Sequence, residues 1–141
     1  MQIRPLGSEE VDRVTAVLGV SRLYQGDGFY LVAWDGAEPL GHVHLALTDP
    51  PELQDVLVRE GFRGRGVASA LTEAAENEAR ARGFSRFRVM VSIDNPAGQA
   101  LYRGLGFVEC GIEPERVTGT IELRTGPLDV DDTLLTWEKP L

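Results

Sequence analysis

Cysteine is almost absent from this chain of 141 residues, with Cys110 standing alone. A lone cysteine closes no internal disulfide, so a reducing, cytoplasmic setting is the expectation. Histidine is scarce as well. His42, His44 and Cys110 are too few and too scattered for a structural zinc site, and no metal is expected. Positive charge is in short supply, because 14 Lys and Arg stand against 22 Asp and Glu, a formal net charge of −8. That balance argues against a nucleic-acid partner, which calls for a basic face, and is compatible with a cationic substrate such as an amine. No apolar run approaches the roughly 20 residues that cross a bilayer, and the N-terminus shows no basic-then-apolar leader, so no membrane partner is expected.

Hydrophobic residues make up 43% of the chain, enough for a real core, and the length fits one compact domain over residues 1–141. There is no internal repeat, low-complexity segment or linker. Residues 1–4 read as a short strand. Ser8 is a candidate N-cap for an amphipathic helix over 8–18, in which Val11, Val14, Val17 and Leu18 recur at helical spacing before Gly19. A loop follows at 20–27. The runs 29–34 and 40–47 flank Asp35-Gly36 and predict an antiparallel hairpin, which Thr48 to Pro51 ends.

A strand over 52–58 comes next. A helix over 66–82 buries Val67, Leu71, Ala74, Ala75 and Ala79 and leaves Thr72, Glu73, Glu76, Asn77 and Arg80 outside. Phe87, Val89 and Val91 alternate with Arg86, Arg88 and Met90 in a strand over 86–91, which closes a βαβ unit with parallel neighbours. Asn95-Pro96 opens a short helix that carries Ala97, Ala100 and Leu101 inward. Residues 107–111 read as a strand. The segment 112–131 carries little signal beyond a short strand at 119–123 and a turn at Gly126-Pro127, and a final strand covers 133–138. The fold class is α/β in the α+β sense, with a mixed sheet.

The chemistry gathers where strand 52–58 breaks into the helix, through Arg59-Glu60-Gly61-Phe62-Arg63-Gly64-Arg65-Gly66. A glycine-rich turn that opens a helix leaves backbone N–H groups unpaired, and with the helix dipole they suit phosphate. Two common phosphate turns do not fit. The nucleotide P-loop needs a lysine, and this turn has none. The dinucleotide fingerprint needs a third glycine and a later acid, where this chain has Ser69, Arg86 and Arg88.

A third pattern, Arg/Gln-x-x-Gly-x-Gly/Ala, matches Arg63-Gly64-Arg65-Gly66-Val67-Ala68 at every specified place. A second block follows a helix and a strand later: Asn95, Ala97, Leu101-Tyr102 and Gly106-Phe107. With both blocks in this order, the sequence resembles the GNAT superfamily of acetyl-CoA-dependent N-acetyltransferases, most strongly over 52–108.

The resemblance implies a GNAT fold, a mostly antiparallel sheet with a central parallel strand pair and flanking helices. It implies acetyl-CoA as cosubstrate and transfer of an acetyl group to an amine, on a small molecule or a peptide. It places the pyrophosphate on the backbone of Arg63, Gly64, Arg65, Gly66, Val67 and Ala68. The pantetheine arm would lie along Leu57 and Val58 like an added strand, with a contact to Asn95. Tyr102 would protonate the departing thiolate, and Val58 N–H would bind the oxyanion. Glu52 starts the strand where some members keep a catalytic glutamate, and it is the base favoured here, with Asp55, His42, His44 or water left open. Cys110 has no histidine near it in sequence, which disfavours a covalent acetyl-cysteine route against direct transfer. An acyl-CoA-binding regulatory domain without turnover is the alternative class. A homodimer through the C-terminal strands is allowed, and nothing in their pattern requires it.

Overall fold

The structure is a computed structural model that describes residues 1–20 and 28–141. Its elements are β1 (Gln2–Pro5), a 3-10 turn (Ser8–Glu10), α1 (Val11–Leu18), β2 (Gly28–Asp35), β3 (Glu38–Ala46), β4 (Glu52–Val58), α2 (Val67–Ala81), β5 (Arg86–Ser92), α3 (Pro96–Gly104), β6 (Val108–Glu109), β7 (Glu115–Leu123) and β8 (Gly126–Pro140). The strands form one sheet in the order β1-β2-β3-β4-β5-β8-β6, with β7 also paired to β8. Every pairing is antiparallel except β4 with β5. That exception follows from α2, the crossover that two parallel strands need. The loop expected at 20–27 lies outside the described residues, apart from Val20.

The sheet has two covered faces. On one, α2 packs Val67, Leu71 and Ala75 against Leu31, Val43, Leu45, Leu53, Phe87 and Val89, all buried. On the other, α1 brings Val14 and Leu18 onto Tyr30, Val32 and Trp34. Alternation along β2 sorts these residues, since successive side chains leave on opposite faces. Ser8 does not cap the helix. Its hydroxyl goes to Glu9, and the carboxylate of Glu10 accepts the Gly7 N–H at 3.1 Å. Thr72 is not on the outer face of α2 either. It is 1% exposed, a position it can hold because its hydroxyl donates to Ala68 O at 2.8 Å.

The C-terminal region is more ordered than its sequence suggests. β7 and β8 form a long antiparallel ribbon, and β8 begins at Gly126, so the connection falls at Arg124 and Thr125 and not at Gly126-Pro127. The ribbon is largely exposed and is laced by polar pairs, Arg116 with Asp131 at 2.7 Å and Thr120 with Asp129 at 2.8 Å. Such a strand shows no apolar alternation to read. Its tip folds back over the α1 face, where Arg124 donates to Thr15 Oγ1 at 3.1 Å. The strand expected at 107–111 shrinks to Val108–Glu109.

Candidate active site

β4 and β5 stay paired only at Glu52 with Arg88 and Leu53 with Val89. Beyond Leu53 they part, and a cleft of about 600 Å3 opens between Val56, Leu57 and Val58 on one side and α3 on the other. The turn after β4 and the first residues of α2 form its end. The cleft holds Leu57, Val58, Arg63, Gly64, Gly66, Val67, Ala68, Asn95 and Tyr102 together. Arg65 is not among the lining residues. Its guanidinium stands 5.4 Å from the Phe62 ring.

The backbone of the turn is shaped for close approach. Gly64 and Gly66 take φ of +74° and +79°, and apart from their chain neighbours no described residue comes within 4 Å of where their Cβ atoms would be. No described side chain caps α2, and its first residues line the cleft with the helix dipole behind them. Arg59 does not serve the cleft, because Glu38 binds it at 3.1 Å. Arg63 donates through Nε to Val58 O at 3.2 Å and tethers the turn to the strand. Arg59 N–H donates to Leu40 O on β3 at 2.8 Å. Alternation therefore turns the N–H of Val58 the other way, into the cleft, while Leu57 pairs with His42. These free donors fit the phosphates and thioester of an acyl-CoA.

In α3 the Asn95 carboxamide caps the helix, accepting Gly98 N–H at 3.0 Å. Leu101 packs on the core as its position in the stripe predicts and also lines the cleft, whereas Ala97 lines the cleft without being buried and Ala100 is exposed. The buried residue of this helix is Tyr102, 7% exposed and edge-on to Phe107 with 5.8 Å between ring centroids. Burial pushes its phenol up to about 12, so it is protonated at every physiological pH.

Glu52 lies at the other end of β4, half-buried and outside the cleft lining. Its Oε2 accepts from Gln54 Nε2 at 2.6 Å, and Gln54 Oε1 meets His44 Nδ1 at 3.1 Å. Asp55 accepts from the Tyr30 hydroxyl at 2.5 Å, and its carbonyl meets His42 Nδ1 at 2.9 Å. The four base candidates thus form one polar patch under α1. Cys110 lies elsewhere, its thiol 3.4 Å from Thr136 O beside a smaller hollow of about 260 Å3 along β8. Phe62, Ser69, Gly98 and Leu101 also line the main cleft and were not singled out for it from the sequence. An apolar stripe on a short helix reads the same whether it faces a core or a cavity. Among the described residues no cluster of His, Cys, Asp and Glu could hold a metal ion. No described helix is long and apolar enough to cross a membrane.

Fold and cleft define the class: an α+β protein whose mixed sheet is split at its parallel pair, with a glycine-rich helix start facing the split. The profile of the acetyltransferase (GNAT) family matches residues 6–107, and the chain belongs to that family. A mycothiol acetyltransferase from Acidothermus cellulolyticus is 40% identical over 91 residues, covering 60% of this chain but only 27% of that protein. A Bacillus subtilis acetyltransferase, solved in complex with CoA, superposes with a TM-score of 0.77 at 20% identity, over 99% of this chain and 98% of the other. The ribosomal-protein-alanine N-acetyltransferase of Brucella melitensis gives 0.71 at 22% identity over 100% of both. These two likenesses concern the fold.

Proposed function

We propose that this chain is an acetyl-CoA-dependent N-acetyltransferase that passes the acetyl group directly to an amine in a ternary complex. One observation carries this reading. The cleft brings together a free strand edge at Val58, an uncapped glycine-rich helix start at Gly64 to Ala68, and the Tyr102 phenol. Pantetheine, phosphate and thioester call for these three kinds of surface in that order. The relatives named above, one of them solved with CoA, support it.

Acetyl-CoA supplies an activated acyl carbon and a thiolate leaving group. The N–H groups of residues 63–68 hold its pyrophosphate, with Gly64 and Gly66 letting the main chain approach. Val58 N–H is placed for the oxyanion, a donor fixed in advance by pairing on β3. Glu52 accepts the proton that the attacking amine must shed. Tyr102 donates to the thiolate. A phenol at about 12 facing a thiol of ordinary pKa about 8.5 would hand over its proton uphill. The same burial raises the thiolate's basicity and narrows that gap. Until transfer, the phenol's hydrogen bond stabilises the developing charge. Cys110, outside the cleft, takes no part.

The test is thiol release from acetyl-CoA across a panel of small amines and peptides, with CoA binding followed by calorimetry. Binding with acceptor-dependent thiol release is the expected result. CoA binding with no turnover on any acceptor would instead point to a regulatory acyl-CoA sensor, and absence of binding would overturn the cofactor assignment.

A further inference from the structure

The parting of β4 from β5 has a local cause. Between His44 and His42, β3 advances two residues while β4 advances three, from Gln54 to Leu57. The extra residue is Asp55, the one non-glycine residue with positive φ (+49°) among the described residues. Bulges of this kind bend a strand, and because side chains alternate, they exchange its two faces beyond that point. The packing shows the exchange. Leu53 belongs to the core under α2, yet two residues past Asp55 it is Leu57 that packs with the Val14, Leu18 and Tyr30 cluster. Val56 and Val58 turn to the α2 side. Pairing with β5 ends just before Asp55, and the cleft lining begins just after it.

A left-handed aspartate is strained and persists only where its surroundings impose it. Here two buried donors from two other strands hold it. The Tyr30 hydroxyl on β2, 2% exposed, reaches its carboxylate. His42 Nδ1 on β3, fully buried, reaches its carbonyl, which can only accept, so this nitrogen carries the proton. The Tyr30 ring is itself held edge-on between His42 and His44, at 5.1 and 4.9 Å.

We propose that Tyr30 and His42 are positioning residues for the transfer: by pinning Asp55 they fix the bulge that opens the cofactor cleft and aims Val58 N–H into it. This rests on the acetyl-CoA reading of that cleft. Asp55 is then a hinge held in place, and its charge is not the base.

Three variants test the proposal: Tyr30→Phe, Asp55→Ala and Asp55→Asn. Asparagine keeps an acceptor for Tyr30 and tolerates the left-handed region, so it should rescue most of what alanine loses. Losing the hydrogen bond between the buried Tyr30 hydroxyl and the half-buried Asp55 carboxylate should weaken CoA binding about tenfold in Tyr30→Phe and Asp55→Ala. Amide exchange in the ligand-free protein should accelerate at Leu57 and Arg59, which pair β4 to β3, and stay unchanged at Leu31 and Val43. Unchanged exchange at Leu57 and Arg59 would overturn the proposal, as would acceleration spread over the whole sheet. So would an Asp55→Asn variant as damaged as Asp55→Ala, because charge would then be the requirement. If the wild-type protein fails to bind CoA, the functional reading falls, while the exchange pattern still decides whether the tether exists.

Discussion

Removing one oxygen from Tyr102 should move activity and stability in opposite directions. The side chain is 7% exposed, and its hydroxyl makes no hydrogen bond to any described residue. A hydroxyl fully buried without a partner costs about 1–3 kcal/mol; the Tyr102 hydroxyl is not fully buried, because it lines the cleft, so its cost lies at the low end of that range. Tyr102→Phe should therefore stabilise the fold by about 1 kcal/mol, which at this chain length is roughly 3–5 °C in melting temperature. Loss of a general acid costs about 10²- to 10⁴-fold in kcat, or roughly 3–5 kcal/mol of barrier, with KM for acetyl-CoA little changed.

The same residue makes an alkaline prediction. Its folded pKa of about 12 lies above the ordinary value of 10.0, so the folded state holds the proton more tightly. Its ionisation leaves stability untouched below pH 10 and lowers it as pH rises from 10 towards 12, by about 3 kcal/mol in all. Melting curves from pH 8 to 11.5, read beside thiol release at neutral pH, measure both effects. The wild-type protein should lose stability above pH 10 faster than Tyr102→Phe. A variant that keeps full kcat, or melts lower and shares the wild-type alkaline decline, would refute the placement of a desolvated, proton-bearing phenol in the cleft.

Three further changes probe other parts of the structure. Gly66→Ala should cost about 1–2 kcal/mol through its φ of +79° alone, since its Cβ meets no described residue beyond its chain neighbours, yet weaken CoA binding by tenfold or more. Gly83→Ala, with a similar φ of +87° at the far end of α2, should show the strain in a melt without the binding defect. Glu52→Gln should lower kcat by about 10²-fold or more at unchanged CoA affinity. Burial pushes the Glu138 carboxyl up, but hydrogen bonds from Arg86 and Arg88 prevail and hold it below 4.5. The stability it supplies is present above its ordinary value and is lost as pH falls through the folded one. Glu138→Gln should cost about 1–3 kcal/mol at pH 7, because both arginines are partly exposed, and should blunt acid unfolding in melts from pH 7 to 3.

What could be read from the sequence, and what could not, follows the range of the contacts involved. The bounds of β4 and the crossover through α2 were legible because each is written in consecutive residues: an apolar run, a glycine-rich turn, a 3.6-residue stripe. Asn95 as a cap was legible for the same reason, as its acceptor bond closes over three residues. Local pattern names a burial stripe but not what covers it: Ala97 reads as core yet lines a cavity, and Leu101 serves both core and cavity. It is also silent on ribbons such as β7–β8, whose polar pairs satisfy both strands without an apolar side.

The two faces of β4 explain why the cofactor side was readable and the acceptor side was not. Everything the proposed cofactor side uses comes from the end of β4 with the turn after it and from one short helix, two blocks of fewer than about fifteen residues, since backbone donors need only a local conformation. The α1 face is assembled from distant parts instead. Tyr30 meets Asp55 across 25 residues, and Arg124 at the ribbon tip meets Thr15 across 109. No window of sequence contains such pairs, and Asp55 itself, an ordinary strand residue by pattern, shows its role only in its φ and its two donors. A family whose members share a cofactor and differ in acceptor would be built this way, with the shared half in a local motif and the variable half in contacts that each chain closes for itself. The bulge joins the halves. Residues that pin it from the α1 face set the donor presented to the other, so substitutions made to retune the acceptor side should change cofactor affinity when they touch Tyr30 or His42, and leave it unchanged when they touch Thr15 or Arg124.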